Sequence, residues 1–217
     1  MQGAYYSKEI SQAEKDERIA NIPWEPRVPV ETWWDLGVGD STVILFTQAV
    51  GKEIRVIDYF EASGEGLPFY AKVLKEKPYV YGRHHAPHDI EVRELSTGKS
   101  RKEIAQSLGI NFDAVPNLPI DDGINAVRVL FPRLWIDQKK CQRLIESLKN
   151  YHKEFNEKLC EYKDKPLHDW SSHAADALRY LAVGYREPDT QGKRQDRADS
   201  GFLIFAPPRQ EYAKSER

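Results

Sequence analysis

The sequence predicts an α/β fold, a mixed sheet flanked by helices. Two observations carry that prediction. Three strand-like runs, 31–36, 42–49 and 53–61, are joined by short turns, which implies an antiparallel meander. A helix, another strand and then mainly helices follow, an order that fits strands and helices packed in layers.

The chain of 217 residues is long enough for one substantial domain with a real core. It is 40% hydrophobic and 30% charged, so its bulk should fold and stay in solution. The formal net charge of −2 gives no global basic field, although a local basic groove stays open. Cys141 and Cys160 match neither a zinc spacing nor a disulfide framework, and a reducing cytosol is the expected compartment. No apolar run approaches the ~18 residues of a membrane span. The N-terminus lacks the apolar core of a signal peptide.

Residues 3–19 predict a short helix with Ala4, Ile10 and Ala13 among charges. NIPWEPRVPVE follows. Its prolines fix φ and lack an N–H, so it should run extended along a surface. Residues 1–30 are therefore an N-terminal helix and proline-rich linker, and 31–186 the main domain. In TWWDLGVGDSTVILF the first strand ends at Asp35, and a tight turn leads to the β-branched second strand. Gly51 and Lys52 turn the chain into EIRVIDYFEA, and Gly64 to Gly66 end the meander. LPFYAKVLKEK has helical spacing, with Phe69, Val73 and Leu74 on one side. PYVYGRHHAPHD starts as a short strand and ends in a histidine-rich turn at Asp89. The polar segment 90–115 holds a helix-like SRKEIAQSLGI and a short FDAV strand. DDGINAVRVLFPRL predicts a helix, a long helix should cover 137–160, and HDWSSHAADALRYLAVGYRE forms the last one. Residues 187–217 are expected to be a flexible tail, because EPDTQGKRQDRADS has no apolar periodicity; GFLIFAPP is a short apolar patch within it.

Three aspartates stand where a site can be built: Asp35 at a strand end, Asp89 after a strand and its turn, Asp176 within the last helix. Each alone has an ordinary reading, Asp35 as a turn residue and Asp176 as an exposed helix residue. Converging, they could not all ionise without a counter-charge. Mg²⁺ or Mn²⁺ would supply it, since hard cations prefer oxygen ligands. Two such ions about 3.5–4 Å apart can activate water and stabilise the leaving oxygen of a phosphodiester. Asp169, close to two helical turns before Asp176, is a candidate further ligand that also suits a helix N-cap.

His84, His85 and His88 beside Asp89 raise zinc as a rival, but the spacing is not a zinc pattern. His88 is read as a helper that orients a carboxylate or touches a phosphate, and His173 as packing or as a neighbour of the ligands. STGKS resembles the tail of a phosphate-binding loop. The full pattern needs a glycine where Arg93 stands, so it is read as a polar turn without an ATP site. Arg83, Lys99, Arg101 and Lys102 are candidate contacts to a DNA backbone, with a solvated loop as the alternative.

WWDLGVGDSTVILF, HHAPHD and SHAADALRYLA, in that order, resemble the nuclease domain of the large terminase subunit of tailed bacteriophages. GAYYSKEI and its proline-rich linker look like that family's join between ATPase and nuclease. The resemblance spans residues 3–186. It implies a ribonuclease H-like fold and metal-dependent cleavage of concatemeric double-stranded viral DNA during packaging. It implies carboxylate ligands at Asp35, Asp89 and Asp176 for two Mg²⁺ or Mn²⁺ ions. Asp40 matches a frequently acidic family position, and 90–115 a hairpin beside the site. The implied partners are the terminase ATPase domain, absent from this chain, the portal and the small terminase subunit, in the cytoplasm of an infected bacterium and without a membrane. The alternatives are a junction resolvase or integrase-like nuclease and a non-catalytic portal-docking module. A phosphate-ester hydrolase on small substrates has no pocket motif to support it.

Overall fold

The computed structural model describes residues 3–37, 40–93 and 98–186. In chain order the helices are α1 (Ser7–Lys15), α2 (Leu67–Glu76), α3 (Arg101–Ser107), α4 (Ile120–Leu130), α5 (Gln142–Asn150) and α6 (Ser172–Gly184). The strands are β1 (Ile19–Ala20), β2 (Val30–Asp35), β3 (Ser41–Val50), β4 (Glu53–Ser63), β5 (Tyr81–Pro87), β6 (Phe112–Val115), β7 (Leu134–Asp137), β8 (Lys153–Asn156) and β9 (Glu161–Pro166). The first seven strands form one mixed sheet in the order β1-β7-β4-β3-β2-β5-β6, and β8 and β9 form a separate hairpin. The expected meander is β2-β3-β4, antiparallel throughout. β5 runs parallel to β2 and β6 parallel to β5, while β7 runs parallel to β4.

Period-two alternation sends neighbouring side chains of the central strands to opposite faces. Trp33, Val43 and Leu45 enter a core shared with α1, α4, α5 and α6. Trp34, Ile44 and Phe46 enter a second core under α2 and α3. Both tryptophans are fully buried, and burial of a large apolar side chain stabilises by roughly 1.5–3 kcal/mol.

The proline-rich run was expected to lie along a surface, and both it and the helix before it are built into the fold. Tyr5, Tyr6, Ile10 and Ala13 join the first core, and Tyr6 stacks on Tyr151. Buried Arg18 donates to the carbonyls of Phe131 and Leu134, which brings β1 alongside β7. The proline-rich run is clamped by buried Gln48, whose amide donates to the carbonyls of Glu25 and Val28 and accepts from the Glu25 N–H.

Two further expectations are corrected. The long helix 137–160 is the end of β7, the short helix α5 and then the start of a hairpin. Asn156 Oδ1 accepts from the N–H groups of Lys158 and Leu159, a turn made by a side chain without glycine or proline. Phe155 packs on Tyr162 across that hairpin. The histidine-rich segment is strand rather than turn, since β5 runs through His84 and His85 to Pro87. A two-stranded hairpin stands at 153–166, where β8 pairs with β9, and the hairpin expected within 90–115 falls partly on 94–97, outside the described residues. The described part of 90–115 holds one antiparallel bridge, Arg93 to Ser100, then α3 and β6. The expectations for the tail, 187–217, lie outside the described residues.

α6 lies across β2, β3, β5 and β6. It comes this close because Ala174, Ala175 and Ala177 are small and because it ends in Gly184, where a Cβ would fall 2.6 Å from the Trp33 ring. Gly184→Val should therefore destabilise by about 1–3 kcal/mol through overpacking, read as a lower urea midpoint. Gly184→Ala should cost less, because leaving glycine returns about 1 kcal/mol of helix propensity. An unchanged midpoint for the valine variant would contradict this packing.

Candidate metal centre

β2 and β5 lie side by side and parallel, with Trp33 opposite His85, so their C-terminal ends meet at one sheet edge. Asp35 ends β2 two residues after Trp33 and thus faces the same side, the side covered by α6. The turn beyond it is tight. A Cβ on Gly37 would fall 2.7 Å from the Ser41 carbonyl oxygen. Asp89 follows β5 in the 3₁₀ turn His88–Glu91. Asp176 comes down from α6, and its charge acts on Asp35.

Each aspartate is held by one basic partner on one oxygen. The Arg179 Nε and Nη2 both donate to Asp176 Oδ1, at 3.0 and 2.8 Å. His173 Nδ1 lies 3.2 Å from Asp35 Oδ2. Arg101 Nη1 stands 3.8 Å from Asp89 Oδ2. The other Asp89 oxygen, Oδ1, is buried without a hydrogen-bond partner among the described residues. Burial pushes the Asp35 carboxyl above its usual range; the His173 hydrogen bond opposes this and the Asp176 charge adds to it. The hydrogen bond to Asp35 pushes His173 upward in turn. Tyr180 is raised by burial first and then by the fields of Asp35, Asp176 and Asp89, so its phenol senses all three carboxylates.

These residues fit a hard divalent cation. The donors are carboxylate oxygens, one is shielded and unsatisfied among the described residues, and burial disfavours the ionised form of another until a counter-charge is present. Divalent ions bound there would supply charge compensation and an acidified water.

The other sequence-derived candidates fall in different places. Asp169 lies outside α6, and its Oδ1 accepts from the Ser171 N–H and hydroxyl, shaping the turn into the helix; the N-cap itself is Ser171. His88 is exposed and lines a cleft of about 210 Å³ with Arg179 and Tyr180. Asp40 lies 3.7 Å from His168. His84 and His85 cannot share a zinc ion, because adjacent strand residues face opposite sides. His84 accepts from or donates to Thr32 Oγ1 at 2.7 Å, and burial lowers its pKa to about 4. His85 stacks on Trp33, with ring centroids 3.7 Å apart.

Arg101 is beside Asp89, and Lys102 pairs with Glu91 two residues further on. Lys99 is exposed just before α3, where Ser100 and Glu103 form a capping box, so the GKS run opens a helix. Arg83 is exposed near the start of β5, four residues of strand, roughly 13 Å at about 3.3 Å per residue, before its end at Pro87.

The large terminase of a thermophilic bacteriophage, solved with ADP, superposes with a TM-score of 0.62 at 16% identity, over 80% of this chain and 44% of that one. The P22 large terminase nuclease domain superposes with a TM-score of 0.59 at 16% identity, over 77% of this chain and 88% of that one. The fold is that of the large terminase nuclease domain. The large terminase nuclease of thermophilic phage G20c, solved with bound cobalt, adds a TM-score of 0.53 at 15% identity, over 83% and 97% of the two chains. The chain thus spans less than half the length of the ADP-bound terminase. No protein-family profile and no curated sequence matches it.

Within this terminase nuclease fold, sequence reasoning missed Arg179 and Tyr180. The signal was present in α6. His173, Asp176 and Tyr180 are spaced at i, i+3 and i+7, one face of a helix otherwise rich in alanine, and Arg179 is i+3 from Asp176.

In metal-free protein, His173 should titrate above the ordinary histidine value of 6.5, and Asp35→Asn should return it toward that value, as followed by imidazole NMR. Because its folded pKa is raised, the stability His173 adds is fully present below about pH 6.5 and is lost as pH rises through the folded value. Asp35 acts in the opposite direction. Its raised pKa makes ionisation in the fold unfavourable from its ordinary 3.8 upward. Identical His173 titrations in the parent and Asp35→Asn proteins would refute the pairing.

Proposed function

We propose that this chain is the nuclease domain of a phage large terminase, an endonuclease that cuts concatemeric double-stranded DNA during packaging. The observation that carries the reading is the set Asp35, Asp89 and Asp176 at one sheet edge, each engaged by a basic side chain on one oxygen. In this reading Asp35, Asp89 and Asp176 hold two Mg²⁺ or Mn²⁺ ions, which when bound activate water and stabilise the leaving oxygen.

The chain's own residues do the positioning. Arg179 aims Asp176 and His173 aims Asp35. Arg101, Lys102 and Lys99 supply positive charge for the DNA backbone near Asp89, an attraction that needs no base sequence. His88 and Tyr180 flank the cleft beside them. Nothing in the chain reads as a base-recognition motif, so cutting should show little sequence preference. The terminase ATPase domain, the portal and the small subunit would be its partners, in the cytoplasm of the infected bacterium.

A supercoiled plasmid should be nicked with Mg²⁺ or Mn²⁺ and left intact with EDTA. Asp35→Asn, Asp89→Asn and Asp176→Asn should each lower the rate by more than about 100-fold, and His173→Ala by about 10–100-fold. Asp176→Asn keeps an acceptor for Arg179 but removes its counter-charge, and Asp176→Ala removes both, so the thermal unfolding of each is measured beside its nicking rate, the uncompensated guanidinium costing about 3–5 kcal/mol. Mn²⁺-dependent nicking retained in all three asparagine variants sinks the assignment of these ligands. A strong preference for branched over linear DNA would favour a junction resolvase, and an intact plasmid under all conditions a docking module.

A further inference from the structure

Asp40, His168 and His173 lie on three separate pieces of chain. Asp40 is in the β2–β3 turn, His168 in the loop before α6, and His173 in the first turn of α6. One ligand atom from each lies within 4.8 Å of the other two. His168 Nε2 is 3.7 Å from Asp40 Oδ2, and the two imidazole rings stand 5.4 Å apart at 78°. In each histidine Nδ1 is already engaged, with Ser172 Oγ at 3.1 Å for His168 and with Asp35 Oδ2 at 3.2 Å for His173. That leaves Nε2 as the nitrogen for coordination.

A metal-bound histidine characteristically gives its other ring nitrogen to a carboxylate, which fixes the ring and raises its basicity. His173 has that partner in Asp35. A tetrahedral ion with bonds of about 2.0–2.1 Å needs its ligand atoms roughly 3.3 Å apart. Asp40 and His168 can close the remaining distance, since their side chains are 63% and 71% exposed.

We propose that Asp40, His168 and His173 form a second cation site, separate from the three-aspartate centre, for a borderline divalent ion such as Zn²⁺ or Co²⁺. Two imidazoles and one carboxylate select such ions over Mg²⁺, and water completes the coordination. The ion would tie the β2–β3 turn to the start of α6 and hold His173 against Asp35. The two centres would then share one hydrogen bond. This site stands on its own geometry and does not require the chain to be a nuclease.

The test is Zn²⁺ and Co²⁺ titration of the whole chain in excess Mg²⁺, by calorimetry and by the visible absorption of bound Co²⁺. One equivalent should bind, with affinity reduced by at least about 10–100-fold in His168→Ala and in Asp40→Asn. Thermal unfolding of metal-free His168→Ala should match the parent, because the side chain is exposed. Failure of the parent to bind Zn²⁺ in excess Mg²⁺ overturns the proposal. So does affinity kept in His168→Ala but lost in Asp89→Asn, which would put the ion in the aspartate centre. Plasmid nicking with Mg²⁺ alone should be unchanged in His168→Ala. Loss of nicking in the parent protein counts against the nuclease reading and leaves the Zn²⁺ titration to decide this one.

Discussion

A buried guanidinium needs a counter-charge, and the pairing of Arg179 with Asp176 fixes the helix side of the candidate metal centre. Arg179 is 9% exposed and lies against Gly123 of α4, where a Cβ would stand 3.1 Å from its Cδ. α4 thus leaves the arginine little room to move. Both of its contacts go to Asp176 Oδ1, so Asp176 Oδ2 takes neither. Losing the carboxylate would strand the cation at a cost of about 3–5 kcal/mol, a large part of a domain's net stability. The side chain that orients a ligand is therefore also one the fold needs, and the two roles cannot vary independently.

The same economy extends to Asp35 and Asp89. Each has a basic neighbour at one oxygen, His173 for Asp35 and Arg101 for Asp89. Burial raises the Asp35 pKa, and the Asp176 charge adds to it. Asp89 has a shielded oxygen without a donor among the described residues. A divalent cation would answer both, favouring the ionised Asp35 and satisfying the Asp89 oxygen.

Much of this was legible in the sequence. The meander could be read because Gly51 and Lys52 mark a turn between two β-branched runs, and the candidate aspartates because Asp35 and Asp89 stand at or after strand ends and Asp176 among small residues of the last helix. The helix expected over 137–160 failed at a turn made by Asn156, which carries no glycine or proline to announce it. The zinc rival rested on reading HHAPH as a loop. In a strand, adjacent histidines part to opposite faces, and His84 and His85 do. Arg179 was missed for another reason. Its importance lies in its burial, which depends on α4, an element about fifty positions away in the chain.

The N-terminal segment and the candidate metal centre are joined by hydrogen bonds outside the seven-stranded sheet. The Lys153 N–H donates to the Gly3 carbonyl, and Ala4 bridges His152. The Leu167 N–H donates to the His152 carbonyl, and His168 follows directly. From there Ser172 Oγ contacts His168 Nδ1, and His173 reaches Asp35. Tyr5 and Tyr6 anchor the start of this run against Tyr151 at the base of the hairpin. The stem of the hairpin therefore serves two purposes. It closes β8 on β9, and it ties the first residues of the chain to the loop that sets where α6 begins. Because Asp176 and His173 ride on α6, the placement of both depends on residues 3–6 as well as on the sheet edge beneath them.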